Sequence, residues 1–186
     1  MIQDEPGIQR QYKLTELLNE VFGEDAWDDS ALNTAGRVLR YWYTYAAEDM
    51  NFEATTFPVA AQQMITVTHI EFSSICAHHL LPFYGIAHVA YIPHKLAIGL
   101  SKIPRAVNYF SHRPQVQERM TNEIADWMQD TLEPKGSAVV TRATHTCMSC
   151  RGIMARNARM IVSELRGIFL TSGGPRDEFY AMIQGD

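Results

Sequence analysis

Residues 64–83 read MITVTHIEFSSICAHHLLPF, and the fold turns on how this stretch is divided. Residues 64–72, MITVTHIEF, are rich in β-branched and apolar types and predict a strand. Shortly after it comes Cys76-Ala77-His78-His79. Cys76 and His79 are separated by two residues, a spacing that suits a turn folding both side chains onto one ion. A sheet that ends in metal-type ligands is therefore the feature from which the rest of the chain is read.

Upstream the texture is helical. Residues 12–22, YKLTELLNEVF, place Leu14, Leu17, Leu18, Val21 and Phe22 on one helical face. Asp29 or Ser30 is a cap for a second helix running to about Asp49, with the aromatic cluster Tyr41-Trp42-Tyr43-Thr44-Tyr45 read as packing. Downstream, Ile86 to Ile92 reads as a strand closed by Pro93. Lys102 to Phe110 and Val116 to Leu132 read as helices, the second turning Val116, Met120, Ile124, Trp127 and Met128 inward. Ala138 to Thr146 and Met160 to Phe169 read as strands, and Pro175 opens a last short helix with Asp177 and Glu178 in its first turn. Helices first, then strand pairs bracketing two helices, predict an α+β fold with a largely antiparallel sheet. The expected organisation is one structural domain with a helical part over 1–50 and a sheet-bearing part over 51–186. The edges of such a sheet invite pairing with another subunit.

With 186 residues, 46% hydrophobic and 20% charged, the chain has the composition of a globular domain with a packed core. The start MIQDEPGIQR has no apolar segment of a secretory leader, and no apolar run spans a bilayer, so no membrane association is expected. Three cysteines argue against a disulfide framework and for metal binding in a reducing, cytoplasmic setting. The net charge of −5 argues against broad nucleic-acid binding, yet leaves room for a nucleotide held by a few cations gathered locally.

A second ligand-rich segment is His145-Thr146-Cys147-Met148-Ser149-Cys150-Arg151-Gly152. On a strand His145 and Cys147, at i and i+2, would share a face, placing the histidine beside a metal that Cys147 binds. Cys76, His79 and Cys147 make an open, catalytic set of three. Adding Cys150 makes a closed, structural set of four, and spacing alone leaves both open.

Between the two segments stand Gly99-Leu100-Ser101-Lys102-Ile103-Pro104-Arg105 and Arg113-Pro114-Gln115-Val116-Gln117-Glu118-Arg119. Together the four motifs resemble the GTP cyclohydrolase I family, from about Ser30 onward. The resemblance implies zinc on Cys76, His79 and Cys147, with His78 and His145 in proton transfer. It implies polyphosphate contacts from Ser101, Lys102, Arg105 and Arg151, and from Arg37 and Arg40 in the helical part. It implies guanine recognition by Glu118, whose carboxylate can accept from N1–H and the 2-amino group, with Gln117 as a further polar contact. The implied reaction is attack of water at C8 of GTP, ring opening, formate release and rearrangement to 7,8-dihydroneopterin triphosphate. The implied architecture is a tunnelling fold (T-fold), an antiparallel sheet with helices on one side, assembled as a homo-oligomeric ring, commonly a decamer of two stacked pentamers. Two positions depart from the family: Ala77 stands where it carries a glutamate, and RNARMIVSEL replaces a more hydroxyl-rich stretch. Two further readings compete with this one. One is a related T-fold enzyme acting on another pterin or deazapurine precursor, or a catalytically impaired GTP-binding homologue; the other is a non-catalytic module with a closed structural zinc site.

Overall fold

The computed structural model describes residues 4–46, 53–59 and 63–184. The chain divides into two compact units, residues 1–47 and 48–186.

In the first unit, α1 (Glu5–Phe22) starts where the Asp4 carboxylate accepts the Gly7 N–H at 2.9 Å, and α2 (Ala31–Thr44) where the Ser30 hydroxyl accepts the Asn33 N–H at 3.2 Å. The helices meet at Gly36, where an added Cβ would lie 2.8 Å from the Gln11 amide nitrogen. Gln11 instead donates to the Leu32 carbonyl across the pair. The aromatic residues pack within this unit, as expected. Tyr41 and Tyr45 meet edge to face at 5.3 Å, and Arg10 donates to the Tyr43 hydroxyl at 2.8 Å. Burial pushes the Tyr41 phenol up to about 12. α2 ends at Thr44 rather than near Asp49, with residues 47–49 outside the described ones. Leu17, Val21 and Phe22 remain exposed on α1.

The second unit is built on a five-stranded sheet. Its elements are β1 (Thr56–Pro58), β2 (Ile65–Cys76), β3 (Pro82–Ile92), β4 (Leu96–Ile98), α3 (Lys102–Ser111), β5 (Pro114–Gln115), α4 (Gln117–Leu132), β6 (Gly136–His145), α5 (Thr146–Ser149), β7 (Met160–Gly167) and α6 (Pro175–Met182). The sheet order is β5-β2-β3-β6-β7, antiparallel except where β5 joins β2 in parallel; β1 and β4 form a separate antiparallel pair. A bulge between Val67 and Ile70 puts His69 at φ 56° and sharpens the twist of β2. At Gly85 a Cβ would lie 1.8 Å from the Arg142 carbonyl oxygen, so only glycine lets β3 run this close to β6.

Period-two alternation splits the strands between two cores. Phe83, Ala87, Val89 and Tyr91 of β3, with Val139 and Ala143 of β6, face Ile103 and Val107 of α3 and Met120, Ile124 and Met128 of α4. Ala90, Ile92, Ala138 and Val140 face the other way, against Phe169, Phe179 and Ile183. The expectation of helices on one side is corrected here. It holds for α3 and α4, but α6 covers part of the opposite face, because its Phe179 packs into the second core. Beyond this second core lies an open concavity of about 740 Å³ lined by Tyr84, Ile86, Arg142 and Ile161. Among the described residues no helix is long and apolar enough to cross a membrane.

Candidate metal centre and nucleotide site

β2 carries the first ligand into place. Cys76 is its last residue and is buried. The chain then reverses: the Leu80 N–H donates to the Cys76 carbonyl at 2.8 Å, and the Cys76 N–H donates to that of Leu81 at 2.8 Å. This turn places His79 Nδ1 3.8 Å and His78 Nδ1 4.0 Å from Cys76 Sγ. The third ligand arrives differently from expected. β6 ends at His145, and Cys147 sits on the helical turn α5, not on a continuing strand. The reason is tertiary: the Thr146 hydroxyl donates to the Pro82 carbonyl at 2.6 Å, which ends the strand and folds α5 over the start of β3.

Sγ of Cys76, a ring nitrogen of His79 and Sγ of Cys147 all lie within 4.8 Å of one another. Ligands at ~2.0–2.3 Å from a tetrahedral zinc are roughly 3.5–3.8 Å apart, so this donor set fits the ion with little movement. The electrostatics agree. Burial, and then the neighbouring Cys76 thiol, push the Cys147 thiol up, while the Arg151 charge pulls it down. Two crowded thiols are costly to ionise together unless a cation joins them. Cys150 caps α5, is exposed, and lies outside this group of three found among the described residues.

His145 stands beside the group on the same sheet face as Phe83, its cross-strand partner, with ring centroids 4.6 Å apart and planes 4° from parallel. Its Nε2 lies 2.7 Å from Oε1 of Gln117. Burial pulls the His145 pKa below its ordinary value, with the Glu118 charge opposing. Glu118 is exposed on the first turn of α4. Gln117 is fully buried, with its amide turned toward Thr141. α4 is anchored to the metal turn through β5: the Ala77 N–H donates to the Gln115 carbonyl at 2.9 Å, and Gln115 Oε1 accepts from Arg119 at 2.7 Å. Ala77 itself is exposed.

The candidate phosphate contacts lie on separate elements. Lys102 opens α3 and Arg105 follows one turn later, with Ser101 at the cap position. Two cations at the positive end of a helix dipole oppose it, an arrangement that an incoming anion relieves. Arg151 is exposed in the loop after α5. Arg37 and Arg40 lie exposed on α2 in the other unit, and Arg37 is paired with Asp29 at 2.5 Å. Phe83, Gln115 and Thr141, which hold the site, carried no signal in the sequence, because their parts depend on strand register and on how α4 lies over β6.

A family model described as GTP cyclohydrolase I matches residues 11–184. GTP cyclohydrolase 1 of Aquifex aeolicus is 45% identical over 172 residues, covering 91% of this chain and 92% of that protein. The Sulfurihydrogenibium protein of the same name is 42% identical over 184 residues, covering 98% and 97%. That of Leptospira biflexa is 42% identical over 176 residues, covering 92% and 96%.

Proposed function

This chain belongs to the GTP cyclohydrolase I family and is a GTP cyclohydrolase, and from that premise we propose how its residues divide the work. The observation that carries the reading is the open trio of Cys76, His79 and Cys147 next to a half-buried, oriented His145. Zinc held by the trio would supply the Lewis acidity that makes water a nucleophile near neutral pH. His145 delivers a proton to N7 of the purine as C8 is attacked, and its lowered pKa makes it a ready donor once protonated. His78, exposed on the turn, handles proton transfers during ring opening and sugar rearrangement. Glu118 accepts from N1–H and the 2-amino group of guanine, donors that adenine does not offer as a pair. Ser101, Lys102, Arg105 and Arg151 hold the triphosphate, with Arg37 and Arg40 added from the helical part. The products are formate and 7,8-dihydroneopterin triphosphate.

The sheet-bearing unit adopts the T-fold in this reading, and the enzyme works as a homo-oligomeric ring, with ten subunits as two stacked pentamers, in the cytoplasm. The apolar face of α1 and the outer edge of β7 support a further chain as partner. Incubation of the zinc-loaded protein with GTP, read by mass spectrometry with formate quantified in parallel, tests the reading. Equal formate and pterin are expected, with Ala77 tolerated in place of the family's glutamate. A ring-opened species would place a defect at Ala77, and unchanged GTP would sink the assignment. Cys150→Ala should retain zinc and fold; loss of both would favour a closed structural site.

A further inference from the structure

Gln117 is 0% exposed at the start of α4, and so cannot be a surface contact. Its Nε2 faces three oxygens: Thr141 Oγ1 at 2.9 Å, the Thr141 carbonyl at 3.2 Å and the Met160 carbonyl at 3.3 Å. That surrounding decides the orientation of the amide. Reversing it would press Oε1 against two backbone carbonyls, which cannot donate. The hydroxyls agree. Thr121 donates to the Gln117 carbonyl at 2.7 Å, so its oxygen receives the Thr141 proton across 2.8 Å, and Thr141 Oγ1 keeps a lone pair for the amide. Gln117 Oε1 is thus an acceptor, and the atom 2.7 Å from it, His145 Nε2, must carry a hydrogen.

We infer that Gln117 is a positioning residue that holds His145 in the Nε2–H tautomer and so makes Nδ1 the nitrogen that exchanges a proton with the purine. This rests on the reading of His145 as the proton donor. The protonated ring carries hydrogens on both nitrogens; Nδ1–H passes its proton to the lone pair of N7, and the neutral ring retains Nε2–H on Gln117. A carboxamide suits the task because its oxygen can accept the Nε2 hydrogen before and after the proton leaves Nδ1. Stacking on Phe83 at 4.6 Å fixes the ring plane, so the hydrogen bond and the stack together define one orientation.

The test uses the zinc-loaded full chain labelled with ¹⁵N-histidine, with His145 identified by His145→Asn. Solid-state ¹⁵N spectra at about pH 8, where the ring is neutral, should show the hydrogen on Nε2 and a bare Nδ1. Gln117→Met, close in shape but unable to accept, should mix the tautomers and lower kcat by about 100-fold. Zinc content should hold and KM for GTP should stay within about threefold. Gln117→Glu restores an acceptor and should recover at least about tenfold of that loss. An Nδ1–H tautomer in the unsubstituted protein overturns the inference, as does a Gln117→Met protein with unchanged tautomer and kcat. Equal loss in the Met and Glu variants, with zinc released, also overturns it by making Gln117 merely structural. If Gln117→Met does not fold, the spectrum of the unsubstituted protein decides alone. Failure of that protein to release formate would remove the catalytic reading while leaving the tautomer result standing.

Discussion

The end of the sheet at Cys76 and the N-terminus of α3 both gather ionisable side chains, but they hold them in opposite ways. Around Cys76 most of the groups are held and oriented: Cys76 is buried, His145 is stacked and hydrogen-bonded, and Gln117 is sealed against Thr141, while His78 and His79 on the turn stay exposed. Along α3 and α2 the cations face solvent, with Arg105, Arg37 and Arg40 exposed and Lys102 half-buried. Enclosure fixes geometry and strengthens each interaction; exposure leaves charges that are screened and act by number. Changes in the first region should therefore alter metal content and kcat, and changes in the second should alter KM in a salt-dependent way.

The largest effect is expected at Cys147→Ala. Two donors cannot hold zinc as three do, so metal analysis after dialysis should find it lost and formate release abolished. Retained zinc would break the contrast, because it would mean that another group completes the set. Glu118→Gln comes next. Glu118 shares features of both regions, exposed like the cations but one residue from Gln117. Its loss should lower kcat/KM for GTP by about 100-fold, with a smaller effect on ITP, which lacks the 2-amino donor. Equal losses on both nucleotides would remove it from base recognition. Lys102→Ala and Arg105→Ala should each raise KM for GTP about tenfold, ~1.4 kcal/mol, with kcat little changed and the effect shrinking at high salt. A fall in kcat of the same size at unchanged KM would erase the division between the regions.

The same contrast separates what could be read from the sequence from what could not. The long elements were legible because periodicity needs length: β2, β3, β6, β7, α3 and α4 each lie within a few residues of their expected spans. β4 and β5, of three and two residues, hold too few positions to show a period. The grouping of Cys76, His79 and Cys147 was legible from residue type, since cysteine and histidine carry their chemistry wherever they stand. The helical turn under Cys147 was not, because it depends on a hydroxyl finding the Pro82 carbonyl across 64 positions. The burial of Gln117 was hidden for a related reason. A glutamine beside an exposed glutamate at the start of a helix shows no sign of burial until α4 is seen to press it onto Thr141.

The smallest effect expected lies wholly in the exposed region, at Asp29. The Arg37 guanidinium, and then the Ser30 N–H, hold the Asp29 carboxyl down at about 2, below its ordinary 3.8. The folded state therefore binds a proton less readily than the unfolded one. The sign follows: the pair's contribution is fully present above about pH 4 and is lost as pH falls toward 2. Both side chains are largely in solvent, so the contribution is small and screened by salt. Urea unfolding of the parent and Asp29→Asn should give a slightly higher midpoint for the parent at about pH 5 and the same midpoint near pH 2, with the gap closing in high salt. A gap that persisted at pH 2 or resisted salt would mean that Asp29 acts as part of a fixed network. The helical unit would then share the enclosed character of the metal centre, and Arg37 could not be counted among charges free to turn to a phosphate.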